Sequence, residues 1–247
     1  MKNVCPRALA LALLVSLTTI PALAQEKGDW LFRIGGGYVA TDTDSDDLKF
    51  EGMPLNNFKA DVDDGASLIF NLTYFLSPNW GVELLAAAPF KHDIDGEGEL
   101  SMLGKLGRTY QLPPTLSLQY HFRPDRLLRP YVGVGLNYTL FFDDKVNQGT
   151  HQGIVDTANA ALGTNFSGGR SSLDIDESFG PSFQVGMDMS ITERWFTNLD
   201  VRYILIDADA DIRTTTFDPA GTETVFRSNL DMEIDPWVVS WAVGFRF

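Results

Sequence analysis

Three histidines, His92, His121 and His151, are the first residues to weigh for chemistry. A nucleophilic site needs a Ser within hydrogen-bond reach of a His, and an acid to orient the ring. Ser117 shares a strand face with His121 but stands four residues away, too far along a strand for direct contact. The chain has no G-x-S-x-G elbow, no ATP motif and no nicotinamide fingerprint. Asp42-x-Asp44-x-Asp46 begins like a calcium loop, yet Asp47 holds the place of the required Gly and Met53 that of the bidentate Glu. A single Cys excludes an intramolecular disulfide framework and a multi-Cys zinc site. We therefore expect no enzyme, no cofactor and no dedicated metal site. The acidic stretch reads as a solvated rim, able to bridge loosely through divalent ions to lipopolysaccharide phosphates.

The elements that position these residues are legible in the pattern of the chain. Of 247 residues, 44% are hydrophobic and 21% charged, and 19 basic against 33 acidic residues give a net charge of −14. That balance argues against nucleic-acid binding, which needs clustered Lys and Arg. Residues 1–24 read as a signal peptide. Lys2 and Arg7 form a basic start, Ala8 to Ile20 an apolar run, and Ala22-Leu23-Ala24 a small-x-small cleavage site. Cleavage after Ala24 removes Cys5, and without Lys2 and Arg7 the remaining 17 basic and 33 acidic residues carry −16. Residues 25–247 form the mature domain.

That domain repeats stretches of about ten residues with every second position apolar, the period of a strand with two unlike faces. Eight are placed, at 30–41, 65–76, 80–90, 112–122, 130–142, 177–189, 195–206 and 234–247. Connections alternate short (Ser77-Pro78-Asn79, Arg123 to Arg129, Ser190 to Arg194) and long (42–64, 91–111, 143–176, 207–233). A soluble β-sandwich has no need of this asymmetry. An all-β, eight-stranded antiparallel transmembrane β-barrel with short periplasmic turns and long external loops does. Trp30, Trp80, Trp195, Tyr120, Phe122, Phe245 and Phe247 fall at one level, as an aromatic girdle would. Terminal Phe247 fits the signal read by the barrel-assembly machinery.

Strand parity assigns the interior. Its lower part holds Arg33, Asn71, Glu83, Gln119, His121, Gln184, Asp188, Asp200, Arg202 and Arg246, which can pair into a polar plug. Its upper part holds Leu85, Ala87, Pro89, Pro113, Phe141, Ile204, Ile206, Pro236 and Val238, an apolar passage. Eight strands leave room for side chains or one narrow cavity. Proline donates nothing to a strand ladder, so Pro181 and Pro236, deep in their strands, are candidates for a lateral exit. In the third long loop, Ile154, Ala158 and Leu162 share one helical face, predicting either a short helix over the mouth or a disordered loop.

Several strings resemble the OmpW family of small outer-membrane barrels, which includes AlkL and OprG. They are WGVELLAAAPFKH at 80–92, LPPTLSLQYHF at 112–122, RPYVGVGLNYTLFFD at 129–143 and DPWVVSWAVGFRF at 235–247. The acidic first loop and the segment 143–176 are less typical. The resemblance implies an eight-stranded barrel in the outer membrane of a Gram-negative bacterium. It also implies a narrow apolar passage for small hydrophobic molecules, with release through the barrel wall. Expected partners are small hydrophobic solutes, outer-membrane lipids and lipopolysaccharide, and the assembly machinery. The rival expectation is a surface adhesin acting through the external loops.

Overall fold

A computed structural model describes residues 24–247. The expected signal segment therefore lies, Ala24 apart, outside the described residues. Eight long strands form the body: β1 (Trp30–Ala40), β2 (Gly65–Phe75), β3 (Trp80–Ala87), β4 (Thr115–His121), β5 (Leu128–Val146), β6 (Ser178–Ser190), β7 (Trp195–Ile204) and β8 (Trp237–Arg246). Each pairs antiparallel with its neighbours in sequence. β1 pairs with β8, from Leu31 opposite Arg246 to Ala40 opposite Trp237, so the sheet closes. Closure leaves no free strand edge within the membrane, where an unpaired peptide group costs several kcal/mol.

Alternation of side chains creates the two faces. Leu68, Leu84, Leu116, Val134, Phe183, Leu199 and Trp241 point outward and are exposed, whereas their inward neighbours are buried. The outward stripe suits lipid, and the buried one carries the lumen. At one end, aromatic pairs span neighbouring strands. Trp30 meets Tyr74 at 4.8 Å, Trp80 meets Tyr120 at 5.0 Å and Trp195 meets Phe245 at 5.0 Å between ring centres. This is the expected girdle level, beside the short turns.

The four long connections are built, not loose. β5 runs 19 residues, and its outer half leaves β4 to pair with Lys105–Leu112. That strand pairs in turn with Phe90–Gly98, and Phe90–Gly98 with Phe58–Val62. A second sheet stacks Ser167–Ile175, Asp207–Phe217 and Glu223–Glu233 beside the short pieces Lys49–Phe50 and Met53–Pro54. A helix, α1 (Gln148–Leu162), lies over them and buries Thr150, Ile154, Val155 and Ala158. It ends at Gly163 in the left-handed conformation that glycine adopts without strain. The helical alternative for this loop therefore holds. The helix is longer than its apolar spacing indicated, and Leu162 is exposed.

One apolar core joins the two tiers. It runs from Val39, Ile69 and Val238 in the barrel, through Phe90 and Ile206, to Ala60, Leu100 and Leu230 outside it. Polar contacts fasten the outer tier at its periphery. Lys105 and Lys91 pair with Asp93 and hold its carboxyl below the usual carboxylate range, the hydrogen bond from Lys105 contributing most.

Candidate functional site: an ion-paired lumen beneath an apolar cavity

The lower lumen is crossed by a buried ion network. Arg33 of β1 donates to Asp188 of β6 through Nε (3.1 Å) and Nη2 (2.9 Å), a bidentate pair. Its Nη1 donates to Thr73 Oγ1 (2.7 Å) and Glu83 Oε2 (3.2 Å). Arg202 of β7 takes the other Glu83 oxygen, Nη2 to Oε1 at 2.7 Å, and also donates to Gln184 Oε1. Tyr131 donates to Asp200 at 2.8 Å, and Asn198 links Tyr131 to Asp188. His121 stacks on Tyr131 with ring centres 4.9 Å apart, and its Nε2 stands 3.0 Å from Gln119 Oε1. Buried charge is tolerable only with such pairing. Glu83, Arg33 and Asp188 are all fully buried, and their ion pairs run across the lumen from β1 and β3 to β6 and β7.

Beneath it lies a layer that parity reasoning did not single out. Leu31, Phe75 and Phe196 form a buried apolar cluster, and the Arg33 guanidinium sits 5.4 Å from the Phe196 ring centre. Gly244 makes room for that ring, since a Cβ there would stand 2.1 Å from Phe196 Cζ. Arg246, assigned by sequence to the plug, is held at the periplasmic rim. It donates to the carbonyls of Ala24 (2.9 Å) and Glu193 (3.3 Å), and lies 3.6 Å from Asp29.

Above the network the lumen turns apolar. Leu85, Pro113, Ile204, Ile206, Pro236 and Val238 surround a void of only about 20 Å³, closed below by Arg202. Ala87 and Phe141 are partly buried and pack against the same core. Pro89 departs from the expectation: it is exposed. β3 ends at Ala87 and the next strand begins at Phe90, so the alternation breaks across Ala88-Pro89. Phe90, 1% exposed, takes the inward place. The narrow apolar passage expected at this level is nearly filled by these side chains.

The open space is higher, within the external tier. A cavity of about 470 Å³ is walled by side chains such as Phe50, Leu100, Leu106, Ile154, Leu230 and Met232. That is the size of a small-molecule site. Sequence reading passed over it because its wall comes from segments taken as loops. The alternation Phe226, Ser228, Leu230, Met232 within 207–233 is the signal that could have exposed it.

The two prolines proposed for an exit flank the outer end of β7. Pro181 is exposed on the outer face, and its carbonyl accepts from Leu205 N at 3.1 Å. Pro236 is buried, and its carbonyl accepts from Ile204 N at 3.2 Å. Each contributes an acceptor and lacks the N–H that would donate in return.

The contacts of the three histidines do not assemble a Ser-His-acid set among the described residues. Ser117 makes no hydrogen bond to His121. His151 does meet a serine, Nδ1 to Ser171 Oγ at 3.0 Å, but its Nε2 faces the Gly168 carbonyl rather than an acid. His92 is buried in the outer tier with Nδ1 2.7 Å from the Asp63 carbonyl, and burial pushes its pKa down.

A closed eight-stranded barrel with a lipid-facing apolar band and an aromatic collar beside short turns is a small outer-membrane β-barrel. The model of the OmpW family matches residues 26–247, and the chain belongs to that family. Outer membrane protein W of Vibrio cholerae is 36% identical over 239 residues, covering 96% of this chain and 97% of the relative. Outer membrane protein AlkL of Ectopseudomonas oleovorans is 30% identical, covering 90% and 83%. The crystal structure of OprG from Pseudomonas aeruginosa superposes with a TM-score of 0.74 at 34% identity, covering 91% of this chain and 98% of that one. The protein resides in the bacterial outer membrane.

Proposed function

We propose that the protein is a channel for passive uptake of small hydrophobic molecules. The solute enters the external cavity, moves down through the apolar core to the upper lumen, and leaves sideways into the membrane above the ion network. The observation that carries this reading is the 470 Å³ apolar cavity, joined by one continuous core to the inner face of the β7 seam. The buried network makes an axial route for ions or sugars costly, since a hydrated solute would have to displace paired charges. A porin, by contrast, is polar along its whole lumen. Pro181 and Pro236 support the sideways step, because the wall carries fewer hydrogen bonds where they sit.

Uptake of octane and of glucose is compared in cells with and without the protein. Octane uptake rises with the protein, and glucose uptake does not. Leu230→Trp, which fills the cavity from its wall, returns octane uptake towards the protein-free rate while the barrel still assembles. Equal uptake of both solutes identifies a general pore, and no uptake of either rejects the channel.

A further inference from the structure

Exposure of the wall residues locates the mouth of the external cavity. Four of them are exposed: Glu99, Met102, Asp156 and Ala160. The first two belong to the short 3-10 turn Glu99–Leu103 and the last two to α1, so the opening lies between these elements. The turn and the helix meet at Leu103 and Gly153, where a Cβ added to the glycine would stand 3.1 Å from Leu103 Cδ1. Among the residues that line the cavity, Glu99 and Asp156 alone carry charge, and both are at this opening.

Both carboxylates stand on built structure. Glu99 follows Gly98, whose φ of 57° suits glycine and where a Cβ would lie 2.2 Å from the Asn57 carbonyl oxygen. The Glu99 N–H donates to that same carbonyl at 2.8 Å, which holds the turn down. Asp156 lies in the middle of α1, and its Oδ1 accepts from Gln152 Nε2, one turn earlier, at 2.9 Å.

No cation stands at the opening to balance them. Lys49, Lys59 and Lys105 each adjoin wall residues in sequence, but their ammonium groups are turned to other acids. Lys49 pairs with Asp231 at 2.6 Å, Lys59 lies 4.0 Å from Asp44, and Lys105 pairs with Asp93. An amphiphile that buries its tail in the cavity leaves its head in the mouth, because the apolar interior offers a charged head no partner. A head in the mouth lies close to two carboxylates, at a range where salt screens only in part. An anionic head is repelled there, a neutral head is indifferent, and an ammonium head is attracted.

We propose that Glu99 and Asp156 are specificity-determining residues of the entrance, admitting neutral amphiphiles and alkylammonium ions and rejecting carboxylate-headed ones. This assignment rests on the reading of the cavity as a solute site and adds the charge that its solute bears.

Binding is measured with the full barrel in nanodiscs of zwitterionic lipid, using 1-octanol, octanoate and octylammonium as probes. Leu230→Trp, which fills the cavity, supplies the background to subtract. Octanoate binds more weakly than the other two. Glu99→Gln with Asp156→Asn raises octanoate affinity roughly three- to tenfold, the range of two exposed charge interactions, lowers octylammonium affinity by a similar factor, and leaves 1-octanol unchanged. In about 1 M salt, where the screening length is about 3 Å, the discrimination of the parent protein shrinks in the same way. Glu223→Gln with Glu233→Gln removes the same charge from exposed positions outside the cavity and leaves the discrimination in place. If the two double variants shift octanoate equally, if neither shifts it, or if 1-octanol moves with it, the assignment is overturned while the cavity reading stands. If the parent protein binds no 1-octanol above background, the cavity reading itself fails, and the assignment with it.

Discussion

Arg202 and Glu83 meet across the lumen, with Nη2 2.7 Å from Oε1, joining β7 to a strand on the far side of the barrel. Glu83 also receives Arg33, so one carboxylate answers two guanidiniums in a space without water-exposed surface. Removing it takes from Arg202 its 2.7 Å partner, leaving Asp200 at 3.6 Å, and leaves Arg33 with Asp188 alone; breaking a buried pair in this way costs about 3–5 kcal/mol. We expect Glu83→Ala to lower the unfolding free energy of the barrel in lipid vesicles by that amount, read from urea titration. A loss below about 1 kcal/mol would mean the network is hydrated and behaves as an exposed pair.

The apolar floor gives a packing prediction with a built-in rescue. A methyl added at Gly244 meets the Phe196 ring, and overpacking of this kind costs about 1–3 kcal/mol. Gly244→Ala should destabilise the barrel, and Phe196→Leu in the same chain should recover most of the loss. Equal destabilisation with and without Phe196→Leu would place the strain elsewhere.

The seam prediction concerns transport, not stability. Pro181→Ala and Pro236→Ala each supply a missing N–H beside the outer end of β7. The double variant should take up octane more slowly while its external cavity binds octane as before. Unchanged uptake rejects the lateral exit at this seam.

His92 predicts how the outer tier responds to acid. Burial depresses its pKa below the ordinary value of about 6.5, despite the favourable contact with the Asp63 carbonyl. The unfolded segment then binds the proton more readily than the folded one. The contribution of neutral His92 is present above the unfolded pKa and is lost as the pH falls from there towards the folded pKa. Between pH 7 and 5.5, amide exchange around Asp63–Gly65 should quicken, and His92→Gln should remove that dependence. Asp64, held below the usual carboxylate range by its hydrogen bond from Tyr38, and Asp93 lose their contributions only at lower pH, outside this window.

Phe247 separates an assembly signal from a structural contact. Its backbone exchanges two hydrogen bonds with Trp30, at 3.0 and 3.1 Å, while its side chain is exposed. Phe247→Ala keeps both bonds, so a defect in membrane insertion in cells, with normal refolding into vesicles, would assign the ring to the assembly machinery. Normal insertion in cells removes that assignment.

The barrel was readable because lipid and lumen impose a strict period of two, and Arg33, Glu83, Asp188 and Arg202 fall on the inward parity without exception. Parity fails where the chain turns a corner, which is why Pro89 was placed inside and Phe90 was missed. Arg246 has the right parity but too low a height, and alternation carries no information about height. The external tier was harder to read for a different reason. Its strands pair across long sequence separations, Phe50 with Ser228 for instance, and their apolar positions are interrupted by acidic ones. The cavity wall is assembled from all four long connections, so no one of them announces it.

The length of β5 has a geometric consequence. Its 19 residues extend roughly 60 Å along the strand, or about 45 Å along the axis at a 45° tilt, against an apolar band about 25 Å tall. The outer-membrane surface is a carpet of sugars and phosphates that oily compounds wet poorly. On the proposed channel reading, a strand this tall would hold the cavity up among those sugars, so that a greasy compound could step from water into protein without first dissolving in the carpet.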